Sequence, residues 1–415
     1  MPPRAALRLP MFIRNKATAV LLGFALPAAF AVYCLTMCRA VQAQSVSGPA
    51  TLWQDPDQAV HVSITPDIPL SLVSKDLSST RVQIMGAIMM VDLKCRLEVR
   101  NESTSFLRGV VMGVVSAEHS PGGKASVALP SLNIAPDDMT VLNVDLKLVR
   151  PFPSNTDHAV NVDIDGALFT DMVFRGPNEF DSRRKLVVWE MEAERDRRHF
   201  KSLLASGGRE QLATAMQASV QRQQQRPRLR AELEQQLRKL ITPPRPLVRR
   251  ERRIQVSRHH FPESPLEIVS GSALVEGSRV RSPEITVKNR SRKPVRWYEL
   301  GWLVSDGDGV RYTAGLMPAP KGRSRLAPGA EASTQSDHSF VLNRGGATGG
   351  LSIGRMSGYV RNVELEDGIV WIPTRNDLEA SSLDRATPVS VEEQRLSRLY
   401  GSQGVEAVIA ELARF

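Results

Sequence analysis

Four short segments of this 415-residue sequence recur in the same order further along the chain. The matched pairs are Leu97–Ser103 with Ile285–Ser291, Ile134–Asp138 with Leu326–Ala330, Thr170–Phe174 with Asp367–Trp371, and Leu203–Met216 with Leu399–Leu412. Their separations are 188, 192, 197 and 196 residues, a drift that loops of different length can absorb. A fixed order with a near-constant separation indicates a tandem duplication. The chain must therefore fold as two similar bodies.

Each copy consists largely of short alternating or apolar runs that turn residues separate. VDLKCRLEV in the first copy and VRWYELGWLVS in the second are examples. About seven such runs in roughly 115 residues, with turns every 8–12 residues, are typical of a β-sandwich. We therefore predict a mainly β fold with two tandem sandwich domains. In the first run Cys95 alternates with polar residues, so we expect it to point inward as a small hydrophobic residue.

A short amphipathic segment follows each sandwich. Val405, Val408, Ile409 and Leu412 recur at helical spacing, and Leu212, Ala213 and Met216 match them in the first copy. Gly208 and Gly404 should each separate two short helices, and Ser390 with Glu393 predicts a capping box. In the first copy alone a further helical stripe is expected at Leu229, Leu233, Leu237, Leu240 and Ile241, giving an α-helical basic connector that the prolines from Pro243 onward end.

These patterns divide the chain into five parts. The predicted bounds are a leader at 1–43, a first β-sandwich at 55–176, a helical basic appendage with a Pro-rich linker at 177–248, a second β-sandwich at 254–373, and a C-terminal helical hairpin at 388–415.

The leader has the features of a secretory signal. Five basic residues and no acidic ones precede or follow the apolar run Ala17–Met37, and Val41 and Ala43 suit a signal-peptidase site. We predict cleavage after Ala43 and export to the periplasm or cell envelope. The run is close to the ~20 residues of a spanning helix, so an uncleaved anchor at 17–37 is the alternative.

Positive charge is concentrated in one segment. The formal net charge is +10, and residues 175–258 contain 21 Lys and Arg against 10 Asp and Glu. Such a segment favours an acidic lipid surface, a polyanion or an acidic partner, whereas a merely solvated helical face is the alternative. The predicted contact residues are Arg245, Arg249, Arg250, Arg252, Arg253 and Arg258. Export and an aromatic content of 5% argue against sequence-specific nucleic-acid binding.

The two bodies resemble the immunoglobulin-like (Ig-like) modules of secreted bacterial proteins of the FxLYD and CARDB kinds. The residues that carry the resemblance are the corners at 99–103 and 287–291 and the Ala-Pro turns at 135–136 and 327–328. The Ig cysteine pair and the FxLYD signature are absent from the sequence. The resemblance implies two Ig-like β-sandwich domains with an adaptor-like role outside the cytoplasm.

Several motifs with catalytic or metal-binding form lack the surroundings that their chemistry needs. Ser352 in GLSIG has no histidine after it and no helix signal, so it is not expected to be a nucleophile. His259 and His260 lack a second ligand pair, and Asp306 fits a hairpin turn better than a calcium loop. Core packing is favoured over a recognition surface for the aromatic residues Trp297, Tyr298 and Trp302. We predict no catalytic residue, cofactor or metal.

Two functions from different classes remain. The first is an exported, non-enzymatic binding or scaffolding protein with an unidentified protein or envelope partner. The second is a hydrolase that uses paired carboxylates, since Asp163 with Asp165, or Glu364 with Glu366, would face the same way on a regular strand. We expect these carboxylates instead to form the solvated face of an edge strand.

Overall fold

The chain is described from a computed structural model. The structure describes residues 55–116, 124–151, 158–233, 251–318, 325–335, 339–344 and 351–415. The predicted leader 1–43, its cleavage site and alternative anchor, and the predicted contact residues Arg245, Arg249 and Arg250 lie outside these residues. The fold is mainly β, as expected. It divides into two compact units, one up to Leu186 and the other from Val187 to Phe415.

Among its described residues the first unit contains one short α-helix, a 3₁₀ turn at Thr170–Met172, nine strands and the start of a long helix. These are α1 (Pro56–Ala59), β1 (Val60–Ile64), β2 (Leu70–Asp76), β3 (Arg81–Met85), β4 (Ile88–Asn101), β5 (Leu107–Ser116), β6 (Lys124–Leu129), β7 (Met139–Pro151), β8 (Val160–Phe169), β9 (Phe174–Arg175) and the beginning of α2 (Ser182–Gln225). One sheet has the order β1-β8-β5-β6 with β9 on β8. In the other, β2 and β3 pair with β4, and so does β7.

Alternation along β4 builds the core of this unit. Val91, Leu93, Cys95 and Leu97 are all buried, and they form one cluster with residues of β5 and β8 from the other sheet. Burial raises the pKa of the Cys95 thiol to about 11. The prediction that Cys95 serves as a small inward-facing hydrophobic residue is confirmed.

The second unit contains most of α2, ten strands and two further helices. After α2 come β10 (Leu229–Leu233), β11 (Arg252–Arg258), β12 (Leu266–Glu276), β13 (Arg279–Asn289), β14 (Val295–Asp306), β15 (Arg311–Pro318), β16 (Glu331–Gln335), β17 (Phe340–Arg344), β18 (Ile353–Leu365), β19 (Val370–Trp371), α3 (Arg375–Ala380) and α4 (Val391–Ala413). The strand order is β10-β17-β13-β12-β11-β18-β14-β15. The first half of β11, residues 252–255, pairs with β12 and the second half, residues 256–258, pairs with β18, so β11 links the two parts of a sheet that curls into a half-barrel.

The two units share one pattern of strand pairing. In the first, β1 runs parallel to β8, and β5 lies between β8 and β6. In the second, β11 runs parallel to β18, and β14 lies between β18 and β15. The long partner of β4 is β7, whereas two shorter strands, β16 and β17, pair with β13.

A buried asparagine ends the matching strands β4 and β13. The Nδ2 of Asn101 donates to the carbonyl oxygens of Ser105, Ile134 and Ala135, while its Oδ1 accepts from the backbone N–H and the hydroxyl of Ser103. The Oδ1 of Asn289 accepts from the same two groups of Ser291, and its Nδ2 donates to the carbonyl oxygens of Lys293 and Leu326. Asn and Ser therefore bond their own local backbone at both corners.

The helical segments follow the expected pattern except at one place. Gly208 and Gly404 have positive φ values of 66° and 79°, and each interrupts its helix as predicted. The predicted helical stripe from Leu229 is wrong over 229–233, because these residues form β10 and pair antiparallel with β17. The rest of that stripe lies outside the described residues.

The apolar faces of α2 and α4 pack together within the second unit. Their cluster contains Phe200, Leu212, Met216, Leu396, Val405, Val408 and Leu412. The predicted amphipathic character of both segments is therefore confirmed. The Ser390 hydroxyl caps α4 by accepting from the backbone N–H of Glu393 at 2.9 Å.

Replacing Asn101 with alanine should destabilise the first unit. Three carbonyl oxygens would each lose one of two donors, and the backbone N–H of Ser103 would lose its acceptor, so the free energy of unfolding should fall by about 2 kcal/mol. Urea denaturation followed by circular dichroism measures this change. Asn143→Ala, at an exposed position of β7, is the matched control and should change stability by under about 0.5 kcal/mol. Equal effects of the two substitutions would contradict the role given to the corner.

Candidate functional site

Three of the predicted contact arginines lie on β11, in the second unit. Arg252, Arg253 and Arg258 are all exposed. Arg253 Nη2 donates to Ser272 Oγ at 3.0 Å, and Arg258 Nη1 donates to the carbonyl oxygen of Ile268 at 3.2 Å. These bonds hold the guanidinium groups against the sheet and leave them accessible to solvent.

The sheet adds two further arginines at the start of β11. Arg253 and Arg281 both stand opposite Leu274, one on each neighbouring strand, and Arg279 stands opposite Glu276. Arg281 pairs with Glu251 at 3.0 Å, and Arg279 with Glu276 at the same distance. We call Arg252, Arg253, Arg279 and Arg281 the β11 basic end. Its four arginines exceed the two glutamates beside them, so the potential there is positive.

The first pair of predicted carboxylates is structural. Asp165 is buried at a β-bulge of β8. It accepts from the backbone N–H groups of Glu179 and Phe180 at 2.7 and 3.0 Å and from the hydroxyl of Ser182, the first residue of α2. Asp163 accepts from Ser63 Oγ at 2.6 Å. The expected solvated edge is wrong, because β8 has β1 on one side and β5 on the other.

The second pair also does not share a site. Glu364 is buried on the interior strand β18, with Arg296 Nη1 3.7 Å from its carboxylate. Glu366 lies beyond the end of β18, and its carboxylate pairs with Arg325 at 2.5 Å. The expectation of a solvated edge is thus wrong for Glu364 as well. Each of the four carboxylates is bonded to a neighbouring group.

The weaker motifs lie where the sequence suggested. Ser352 is exposed and strand β18, not a helix, begins directly after it. Asp306 Oδ1 accepts from the backbone N–H groups of Asp308 and Val310, which confirms the turn. His259 Nε2 lies 3.2 Å from Ser357 Oγ, and burial, with Arg311 nearby, lowers the pKa of His259. The described part of the chain holds no group of three or more metal-ligating His, Cys, Asp or Glu side chains.

The clustered aromatic residues contribute mainly to packing. Tyr298 and Trp302 are buried in the core of the second unit, and Trp297 is half-buried. The Tyr298 hydroxyl lies 2.7 Å from Thr334 Oγ1. Core packing is confirmed for the two buried residues.

Sequence reasoning missed a buried ionic cluster on the helices of the second unit. Its charged members are Glu190, Arg195, Asp196, Arg197, Arg222, Arg375, Glu392, Glu393 and Arg395. Glu393, only 4% exposed, accepts from Ser219 Oγ at 2.5 Å and from Arg375 Nη1 at 3.0 Å, and it also pairs with Arg222. Arg375 Nη1 lies 3.5 Å from Asp196 Oδ1.

The other half of the buried ionic cluster centres on Glu392. This carboxylate is 2.8 Å from Arg395 Nη2 and 3.5 Å from Arg197 Nη1. Arg197 also pairs with Glu190, with its Nη2 2.5 Å from Glu190 Oε1. In the sequence, only the predicted capping residue Glu393 pointed to this cluster, because it lies in the first turn of α4, which is buried.

Electrostatic attraction outweighs desolvation at Arg375. Burial by itself would lower the pKa of this guanidinium, but Glu393 and Asp196 raise it above its ordinary value. The group therefore stays charged, and the cluster serves as a structural ionic joint between helices. Nothing in it leaves a carboxylate free to act as a general base.

Comparisons with known proteins add little. No protein-family model and no curated protein matches the chain. The solved structure of red sea bream transglutaminase is similar over 70% of this chain and 29% of that chain, with 6% identity and a TM-score of 0.13. The chain spans less than a third of that enzyme, and a likeness of this size carries no argument. Among the described helices, none combines the length and apolar character that crossing a membrane requires.

Removal of Arg375 should be far more costly than removal of an exposed arginine. Arg375→Met removes one of the two arginines that pair with each of the buried carboxylates Glu393 and Asp196, and it should lower the free energy of unfolding by about 3 kcal/mol. Arg209→Met breaks an exposed pair with Glu406 and should cost under about 1 kcal/mol. Urea denaturation of both variants provides the comparison. A small loss in Arg375→Met would show that the cluster is not a structural joint.

Proposed function

We propose that this chain is an exported, non-enzymatic binding or scaffolding protein of the cell envelope, built from two Ig-like modules. The observation that carries the proposal is the strand-pairing pattern that occurs in both units. A repeated β body with a basic surface is suited to holding partners together rather than to catalysis.

The Ig-like interpretation rests on how the strands pair across the two sheets. In the first unit β4 pairs with β7 and β5 pairs with β6 and β8, so the chain crosses between two sheets that share one core after β4, after β6 and again after β7. This interleaving is typical of Ig-like β-sandwiches. The matching pairs in the second unit support a tandem duplication, with sandwiches at 55–176 and 254–373.

The β11 basic end, together with exposed Arg258 at the other end of the same strand, supports contact with an anionic surface. Exposed arginines attract anionic lipid headgroups or polyanions, at roughly 1 kcal/mol per residue near a charged membrane. Arg245, Arg249 and Arg250 precede β11 in the sequence and add to the positive charge of this segment. The leader supports export, which would place this surface in the periplasm or envelope.

The alternative, a hydrolase with paired carboxylates, has weaker support. Asp165 is occupied by three donors at the start of α2, and Glu364 and Glu366 have arginine partners. A general base needs access to substrate or water.

Binding to lipid vesicles tests the proposed contact. The purified chain should bind vesicles containing anionic lipid more strongly than neutral ones, and added salt should weaken the binding because it screens exposed charges. The triple variant Arg252→Gln, Arg253→Gln, Arg258→Gln should bind anionic vesicles at least about tenfold more weakly.

A charge-matched control separates a defined surface from net charge. Arg292→Gln, Arg385→Gln, Arg398→Gln removes three exposed arginines elsewhere on the same unit and should leave binding nearly unchanged. Equal losses in both triple variants, or no preference for anionic vesicles, would contradict the proposed contact surface.

A further inference from the structure

Strand β7 of the first unit has one paired edge and one open edge. It pairs antiparallel with β4 along its whole length, from Met139 to Pro151. Among the described residues no other strand pairs with it. An unpaired edge of this length presents a row of backbone N–H and C=O groups. A strand of another chain can form hydrogen bonds with them when its side chains are compatible.

The second unit shows what this edge can accept. There the matching strand β17 pairs with β13 and, on its other edge, with β10. The added strand is antiparallel, with Ala231 opposite Leu342. The shared pairing pattern is therefore compatible with one more antiparallel strand at this position.

The outward face of β7 is uncovered. Asn143, Asp145, Lys147 and Val149 alternate along it and are all exposed, with Val149 68% exposed. A lone lysine on an edge strand normally discourages pairing with other chains. Here the lysine is Lys147, and Asp145 supplies a carboxylate two residues away on the same face of the strand.

We propose that β7 pairs antiparallel with β7 of a second copy of this chain across a two-fold axis at Leu146. Opposed residues then include Asp145 and the partner's Lys147, and symmetry makes this ion pair twice. Val149 becomes a diagonal neighbour of the partner's Val141, within side-chain reach. In registers shifted by two residues Lys147 has no carboxylate directly opposite it, so the charge pattern favours this register and a second copy as the occupant.

This self-association is independent of the proposed contact with anionic surfaces. It involves β7 of the first unit, whereas the β11 basic end belongs to the second. Failure of one therefore leaves the other in place, and the measurements differ.

Sedimentation equilibrium of the purified full chain tests the inference. The chain should show a reversible monomer–dimer equilibrium. Lys147→Asp places like charges opposite each other twice and should weaken dimerisation at least about tenfold. The double variant Asp145→Lys, Lys147→Asp exchanges the two charges within each strand and should restore it. Lys201→Asp, an equal charge change at an exposed position of α2, should have no effect.

Every result decides the inference. A chain that remains monomeric at all concentrations overturns it. A dimer that Lys147→Asp leaves intact uses another surface and also overturns it, as does a double variant that stays monomeric while circular dichroism shows a native fold.

Discussion

A buried asparagine fixes the place where the chain passes from one strand to the next in each unit. Asn101 and Asn289 are both 1% exposed, and all their side-chain bonds go to loop backbone or to a nearby serine. A buried amide is tolerated only when its donors and acceptors are satisfied. The corner joins the end of β4 to the loop before β7, since the Asn101 backbone N–H donates to the carbonyl of Asp138. The strand pairs on either side depend on that joint.

The shared frame carries different charges at the same bulge. In the first unit the bulged residue of β8 is Asp165, which binds backbone N–H groups at the start of α2. In the second the bulged residue of β18 is Arg361, which pairs with Glu299 at 3.1 Å and Glu192 at 3.6 Å. Burial would lower the pKa of Arg361, but these carboxylates raise it. A β-bulge turns its side chain away from the regular alternation of the strand. The same bulge therefore positions a carboxylate, Asp165, in the first unit and a guanidinium, Arg361, in the second.

Local pattern predicted local structure well. The alternation around Cys95 placed it in the core, and the glycines at 208 and 404 interrupt their helices as expected. The prediction of a helix at Leu229 and Leu233 was wrong because a spacing of four residues fits the two-residue period of a strand as well as a helical turn. Only pairing with β17, more than 100 residues away in sequence, decides between them.

Charged residues were the harder part of the site. Ionisable groups are normally solvated, so the sequence suggested exposed faces for Asp165, Glu364 and the helices of the second unit. Each of these groups is buried by partners from another element, as Glu393 is by Arg222 and Ser219, more than 170 residues earlier. Periodicity within one segment contains no information about such partners. The three contact arginines on β11 are exposed, as their charge suggested.

The most direct test of the account is amide hydrogen exchange at the two corners. The backbone N–H groups of Ser103 and Ser291 donate to the buried asparagine oxygens at 3.1 and 2.9 Å. If one locked corner occurs in both units, both amides should exchange slowly, at rates close to those of the neighbouring strands β4 and β13. Exchange at either serine as fast as in an exposed turn would contradict the shared frame.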